Sequence, residues 1–273
     1  MDIIVCMKLV PNTAHMTFNP KTMRLERYGI LSLINPADID ALECALNMKK
    51  DYGGTVTILT MGIAGASECV EKGIAAGADE GYLITDPAFA GSDTYATGMV
   101  LSAAVRWLQQ KNQKRYDLIL CGSVTVDGET GQTGSQLAEQ LDWAQISCAS
   151  DLRQIGDKLW AKQETEEETL WLESDQPTLV TIEPKYGKGL RPVDMEKLRQ
   201  LEKEGVPKLT LQELEPWLDR SAIGAHGSPT KIARSYIPFT DRKQIVISSG
   251  SDSEKAQALL GLLKQENCEV TYE

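Results

Sequence analysis

Residues 117–141 read D-L-I-L-C-G-S-V-T-V-D-G-E-T-G-Q-T-G-S-Q-L-A-E-Q-L. Leu118, Ile119, Leu120 and Cys121 make a short apolar run that stops at Gly122, the pattern of a strand buried on both faces. From Gln132 the spacing changes, and Leu137, Ala138 and Leu141 fall on one face of a helix. A strand that passes through a glycine-punctuated loop into a helix belongs to a crossover connection, so its sheet is largely parallel. In such a sheet, ligands bind beyond the carboxyl ends of the strands, which is where this loop lies.

The same alternation extends outward in both directions. Upstream, Ile3 to Leu9 reads as a strand. Asn35-Pro36 then opens a helix, with Ile39, Leu42, Ala45 and Leu46 on one face until Gly53-Gly54. Thr55 to Met61 is a strand, Ala66 to Ala76 a helix ended by Gly77, Tyr82 to Thr85 a strand and Asp93 to Gln110 a helix. Downstream, alternating stretches at 158–161 and 169–173 flank the acidic run Glu164 to Glu168, as in an exposed hairpin. Thr178 to Glu183 returns to the sheet. These elements predict a doubly wound α/β domain over residues 1–185, mainly parallel and carrying a β-hairpin. Residues 186–240, with scattered Gly and Pro and a charged helix at Met195 to Glu204, read as an arm laid over a partner. Residues 241–273 read as a strand at Gln244 to Ser248, a helix and a short final strand.

Composition excludes several function classes. With 39 acidic against 28 basic residues the formal charge is −11, which repels nucleic-acid backbones and anionic membrane surfaces. No basic region precedes the first apolar run, and no stretch approaches the ~20 apolar residues of a membrane span. The expectation is a soluble, cytoplasmic protein with no membrane insertion. The six cysteines at 6, 44, 69, 121, 148 and 268 contain no C-x-x-C pair, which argues against a metal site and suits a reducing compartment. The two histidines, His15 and His226, both fall in loop-like segments and leave little material for a Ser-His-Asp arrangement. No catalytic residue is assigned.

Four loops are equipped to hold a ligand. In Gly122 to Gly134, glycines let the backbone approach a ligand, and Thr130 and Thr133 place hydroxyls beside the unpaired amides of a helix start. It is neither a P-loop nor a G-x-G-x-x-G fingerprint. By composition it serves a threonine-capped turn as well as a phosphate site. In Gly91-Ser-Asp93-Thr94-Tyr-Ala-Thr97, the two threonines are three apart on one helical face and could meet one anion. Asp93 there is equally an ordinary N-cap, in which case its carboxylate would repel a phosphate. Met61-Gly62 and Asn35-Pro36 complete the set.

Taken together, Met7-Lys8 followed by Val10-Pro11, Asn35-Pro36, Met61-Gly62, Gly77-Ala78-Asp79 and the segment Gly122 to Gly134 resemble the electron-transfer flavoprotein β family over nearly the whole chain. Asp127-Gly-Glu-Thr-Gly-Gln132, Gly91 to Thr97 and Gly227-Ser-Pro-Thr230 are similar to its electron-bifurcating branch. The resemblance implies a subunit that pairs with an FAD-bearing α subunit and holds an adenine nucleotide. In most members that nucleotide is AMP; in the bifurcating branch it is the ADP half of a second FAD that accepts hydride from NADH. Carried over by position, the adenosine pocket would use Cys6, Asn35, Pro36 and Met61, with Gly62 beside it. The phosphate loop would use Gly122, Ser123, Val124, Thr125, Val126, Asp127, Gly128, Thr130, Gly131, Gln132 and Thr133, and the second loop Asp93, Thr94 and Thr97. FAD is the expected cofactor, with AMP the alternative. The expected function is electron transfer from NADH toward the α subunit and an acyl-CoA dehydrogenase or reductase. An adenylate-binding module of stress type is a further alternative. Gly131 and Thr133 depart from the branch's usual Ala and Val. Leu190 to Lys197, where family members meet an acyl-CoA dehydrogenase, runs here into an acidic helix.

Overall fold

The computed structural model describes residues 1–12, 17–19, 24–26, 31–175, 177–184, 189–231, 233 and 245–265. Small antiparallel pairs join β2 (Leu9–Pro11) to β5 (Ser32–Ile34) and β3 (Thr17–Asn19) to β4 (Arg24–Glu26). The other strands are β1 (Asp2–Met7), β6 (Thr55–Met61), β7 (Glu80–Ile84), β8 (Leu118–Gly122), β9 (Ala144–Ile155), β10 (Lys158–Glu164), β11 (Thr169–Ser174), β12 (Thr178–Ile182) and β13 (Lys208–Leu209). They form one nine-stranded sheet in the order β11-β10-β9-β12-β8-β1-β6-β7-β13. All its pairings are parallel except β9 with β10 and β10 with β11; the second of these is the expected hairpin.

Both faces are covered, as the all-apolar strands require. Ile3, Val5 and Met7 of β1 pack with α1 (Pro36–Tyr52) and α2 (Ser67–Ala76). Ile4 and Cys6 point the other way, into the core under α3 (Thr94–Asn112) and α4 (Thr133–Leu141). That period of two is the pleat itself. From β1 the chain steps outward through β6 to β7; α3 then carries it back to β8, on the opposite side of β1. The direction of winding therefore reverses between β1 and β8, and a crevice opens at such a reversal. The structure is a doubly wound α/β fold.

Local chemistry places the helix starts. Pro36 supplies a preset φ at the first position of α1, Asp38 lies in its first turn, Lys49 and Lys50 in its last, and Gly53 at φ +74° stops it. The sequence showed no strand at 144–155. There β9 is half-polar, Cys148 sits at φ +54°, and its pairings with β10 and β12 each shift register, so the alternation is broken by a bulge.

The chain divides into two compact units, Met1–Ala233 and Arg234–Glu273. Within the first, residues 189–231 use much of their apolar content on the α/β core. Val206 joins the α1/α2 side, and Leu209, Leu214 and Ile223 join the α3/α4 side. Here lie α5 (Met195–Glu204), α6 (Leu211–Leu214) and α7 (Gly224–Gly227). Arg191 is held by Glu43 of α1 through three side-chain hydrogen bonds of 2.8–3.1 Å. The second unit contains α8 (Asp252–Gln265). Ile245–Ser248, expected as a strand, pairs with no strand among the described residues; the expected strand at Glu269 to Thr271 lies outside them. No helix among the described residues is long and apolar enough to cross a membrane.

Candidate functional site

The crevice between β1 and β8 is built by a buried polar clasp. Asn35, fully buried, donates through Nδ2 to the Val124 carbonyl at 2.9 Å and accepts through Oδ1 from the Val126 amide at 3.2 Å. Asp38, 4% exposed, accepts from the Lys8 amide at 2.8 Å and the Gly122 amide at 3.0 Å. Lys8 Nζ reaches over the rim to Asp127 at 2.7 and 2.9 Å. The end of β1, the start of α1 and the loop after β8 are thus one hydrogen-bonded unit.

Electrostatics follow the burial. Desolvation pushes the Asp38 carboxyl up to about 6 despite its Asn35, Lys8 and Gly122 partners. Burial, then Asp38, pushes the Cys6 thiol up to about 12, and burial also raises Cys121 well above a free thiol. Neither is a thiolate at neutral pH. Burial opposes ionisation of Asp127, but bonds from Lys8 and Thr125 outweigh it and lower its pKa.

The glycines divide by role. A methyl on Gly122 would lie 2.6 Å from Ala37 Cβ and from Asp38 Oδ1, and one on Gly134 would lie 2.7 Å from Thr181 Cγ2. These two permit packing rather than ligand approach. Gly128 has only Thr125 Oγ1 nearby, at 3.7 Å. Gly131 is in the left-handed region at φ +62°, so a branched residue there strains the backbone whether or not a ligand is bound. Around them Thr130, Gly131 and Gln132 are exposed. The first turn of α4 carries no side-chain cap, which leaves its amides open to an anion.

The second loop is different. Asp93 caps α3, accepting from the Ala96 amide at 3.0 Å and from the Thr230 amide at 2.8 Å. Burial, the largest single influence, raises its pKa, but its bonds from Ala96, Thr230 and Tyr95 together outweigh burial and lower it. The amides that a phosphate would use are occupied by the protein's own carboxylate. Thr94 instead donates its hydroxyl to Gln132 Oε1 at 3.2 Å, so the two loops meet at the α4 start. Asp93 N donates to Ser228 Oγ at 2.8 Å, which brings Gly227–Thr230 to the same corner.

Met61 and Gly62 lie at the end of β6, beside β1, where Met7 pairs with Thr60. Pro36 is exposed at the start of α1, and Cys6 lies in the core on the α3/α4 side of β1. Sequence reasoning missed Asp38 and the bond of Lys8 to Asp127. An acidic residue in a first helical turn signals only dipole compensation, and nothing local shows that it is buried. A cavity of about 370 Å³ lies at the far end of the sheet, against Gln109, Arg115 and Trp143, away from all these residues. No cluster of His, Cys, Asp or Glu suited to a metal occurs among the described residues.

An electron transfer flavoprotein domain matches residues 22–204. The chain belongs to the electron transfer flavoprotein family. Its similarity to the family's β subunits runs end to end: it is 37% identical to the electron transfer flavoprotein subunit beta of Thermoanaerobacterium thermosaccharolyticum over 95% of this chain and 96% of that one. It is 36% identical to the acryloyl-CoA reductase electron transfer subunit gamma of Anaerotignum propionicum, covering 98% and 99%. It is 33% identical to the caffeyl-CoA reductase-Etf complex subunit CarD of Acetobacterium woodii, again over 98% and 99%. These matches fit an electron transfer flavoprotein β subunit.

Proposed function

We propose that this electron transfer flavoprotein subunit holds FAD in the β1/β8 crevice and, paired with an α subunit, passes electrons from NADH toward the α-subunit FAD and an acyl-CoA dehydrogenase or reductase by flavin-based bifurcation. The observation that carries the reading is the uncapped α4 N-terminus at the point where the winding reverses. Its first-turn amides and dipole favour a phosphate there. The residues fit the group: Gly128 and Gly131 leave room for close approach, and Thr130 and Thr133 offer hydroxyls at the same helix start. Met61 and Pro36 border the adenosine position, with Cys6 as part of its floor. Thr94 stands at the corner next to Gln132, with Thr97 three residues on along the same helical face, where a second phosphate of a pyrophosphate would lie. When bound, the flavin supplies hydride and electron chemistry; the chain supplies binding, orientation and a fixed electrostatic frame. Two of the relatives carry reductase complexes in their names, which supports an acyl-CoA reductase as the electron acceptor.

A second reading, AMP as a structural ligand, is favoured by the Asp93 cap. That cap leaves α4 as the one open start of the two helices, enough for a single phosphate. Counting nucleotides released on denaturing the complex with its α subunit separates the two. Two FAD per heterodimer supports the proposal; one FAD and one AMP overturns it. Replacing Thr94 and Thr97 together with valine should remove one of the two flavins and spare the other. It should leave a bound AMP untouched.

A further inference from the structure

We infer that Asp38 is the positioning residue of the nucleotide site: its two carboxylate oxygens accept from the Lys8 and Gly122 amides and so set the gap between β1 and β8 into which the phosphate loop opens. The inference deepens the nucleotide-binding reading and rests on it. Two part-buried N–H donors, one just past the end of β1 and one at the end of β8, face one side chain, and an ionised carboxylate offers each of them an acceptor. An asparagine or a protonated aspartic acid offers one good acceptor and turns a hydrogen toward the other amide. The surroundings leave no substitute. Gly122 has no room even for a methyl, which would lie 2.6 Å from Asp38 Oδ1.

The groups that face Asp38 are few. Lys8, just past β1, attracts it; Cys6 of β1, Cys121 of β8 and Cys69 of α2 face it with thiols that stay neutral, since burial raises all of them. On its own helix start, Asn35 bonds to it. The ammonium of Lys8 is shared with Asp127. Asp38 is therefore the group of this clasp that changes charge near pH 6, the value to which burial pushes it. Its folded pKa lies above its ordinary 3.8. Its contribution to fold stability is therefore fully present below that ordinary value and is lost as pH rises through about 6. Acid should thus loosen the site while this group makes the fold no less stable. A purely structural aspartate would not separate the two.

The test uses the full chain, purified with the subunit that accompanies it and stripped of nucleotide. FAD is the probe for the pH series, because a phosphate monoester such as AMP takes up its own proton near pH 6. The wild type should bind FAD roughly tenfold more weakly at pH 5 than at pH 7.5, with no fall in melting temperature attributable to Asp38 over that range. Asp38→Asn should bind about as weakly at every pH as the wild type does at pH 5, so its profile is flat. Wild-type affinity in Asp38→Asn, or an unchanged pH profile in that variant, overturns the inference. If the wild type binds neither FAD nor AMP, the function reading fails instead, and hydrogen exchange decides the clasp by itself. The Lys8 and Gly122 amides must exchange faster in Asp38→Asn, while the interior amides of β6 keep their rates; equal exchange at both amides refutes it.

Discussion

The starts of α3 and α4 look alike in sequence and differ in the structure. Each follows a glycine, carries threonines near its first turn and meets the other through Thr94 and Gln132. Yet α3 spends its amides on Asp93, and α4 has no side-chain cap. A helix start without a cap is destabilised unless water or a ligand satisfies its amides. Asn35 and Asp38 clasp the loop before α4 through part-buried polar bonds, and Lys8 holds Asp127 at its exposed rim. The contrast sets a helix start closed by its own carboxylate against one with no side-chain cap, and it can be broken at four places.

The largest effect is expected at Gly122. Gly122→Ala drives a methyl into Ala37 and Asp38, forces α1 away from β8 and should cost about 3 kcal/mol. Chemical denaturation should report that loss together with complete loss of bound nucleotide. Gly128→Ala meets only Thr125 Oγ1 at 3.7 Å and should leave stability within about 0.5 kcal/mol. Equal effects at the two glycines would show that the loop is not pinned to α1.

Asn35→Ala comes next. It strands the Val124 carbonyl and the Val126 amide, at about 1–3 kcal/mol for a buried group left unpaired. Because the loop is anchored at those two residues, the cost should fall on loop order. Hydrogen exchange should quicken at Val126 and nucleotide should bind at least tenfold more weakly, with the sheet amides unchanged. Loss confined to global stability would make Asn35 a core residue and nothing more.

How far the site was legible follows from the same residues. The parallel strands, their helices and the loop at 122–134 were readable because period, glycine and proline are local signals. Asn35 was named, but as a residue of the adenosine pocket rather than as the loop's anchor; its bonds to Val124 and Val126 span about ninety residues of sequence. Asp38 was missed for the same reason, since Lys8 and Gly122 become its partners only once β1 and β8 are adjacent. The α3 loop was ambiguous because Asp93 is at once an N-cap and a possible phosphate neighbour, and the geometry resolves it as a cap. The folding of residues 189–231 onto the core was not read because Val206 and Leu209 sit singly among polar residues and the helical spacing of Leu211, Leu214 and Leu218 extends over only a short stretch.

Asp93→Ala should cost about 1 kcal/mol, the usual worth of an N-cap. Its lowered pKa gives the sign of the pH dependence: the contribution is present above the ordinary aspartate range and is lost as pH falls through the lowered value. The variant should therefore match the wild type in strong acid and fall behind it near neutrality. It also uncovers the Ala96 amide. If the difference between the two helix starts is the cap, inorganic sulfate should protect the α3 start from hydrogen exchange in Asp93→Ala and not in the wild type. Protection in both would mean that the cap never excluded an anion.

The smallest effect is expected at the rim. Lys8 and Asp127 form a two-pronged bond, but the side chains are 45% and 24% exposed, and water and salt screen such a pair. Lys8→Met should cost no more than about 1 kcal/mol at low ionic strength, and that cost should nearly vanish in about 1 M salt, where the Debye length is ~3 Å. The interesting term is its effect on a bound anion. Removing Lys8 takes away a positive charge beside the loop and leaves Asp127 uncompensated next to the open α4 start. Nucleotide affinity should then fall more than stability does, and more steeply at low salt than at high salt. Asp127→Asn removes the opposing negative charge and frees the ammonium, so it should hold nucleotide as well as the wild type or better. If both variants weaken nucleotide equally, the pair acts only as a mechanical strut for the loop, and the openness of the α4 start owes nothing to its charge.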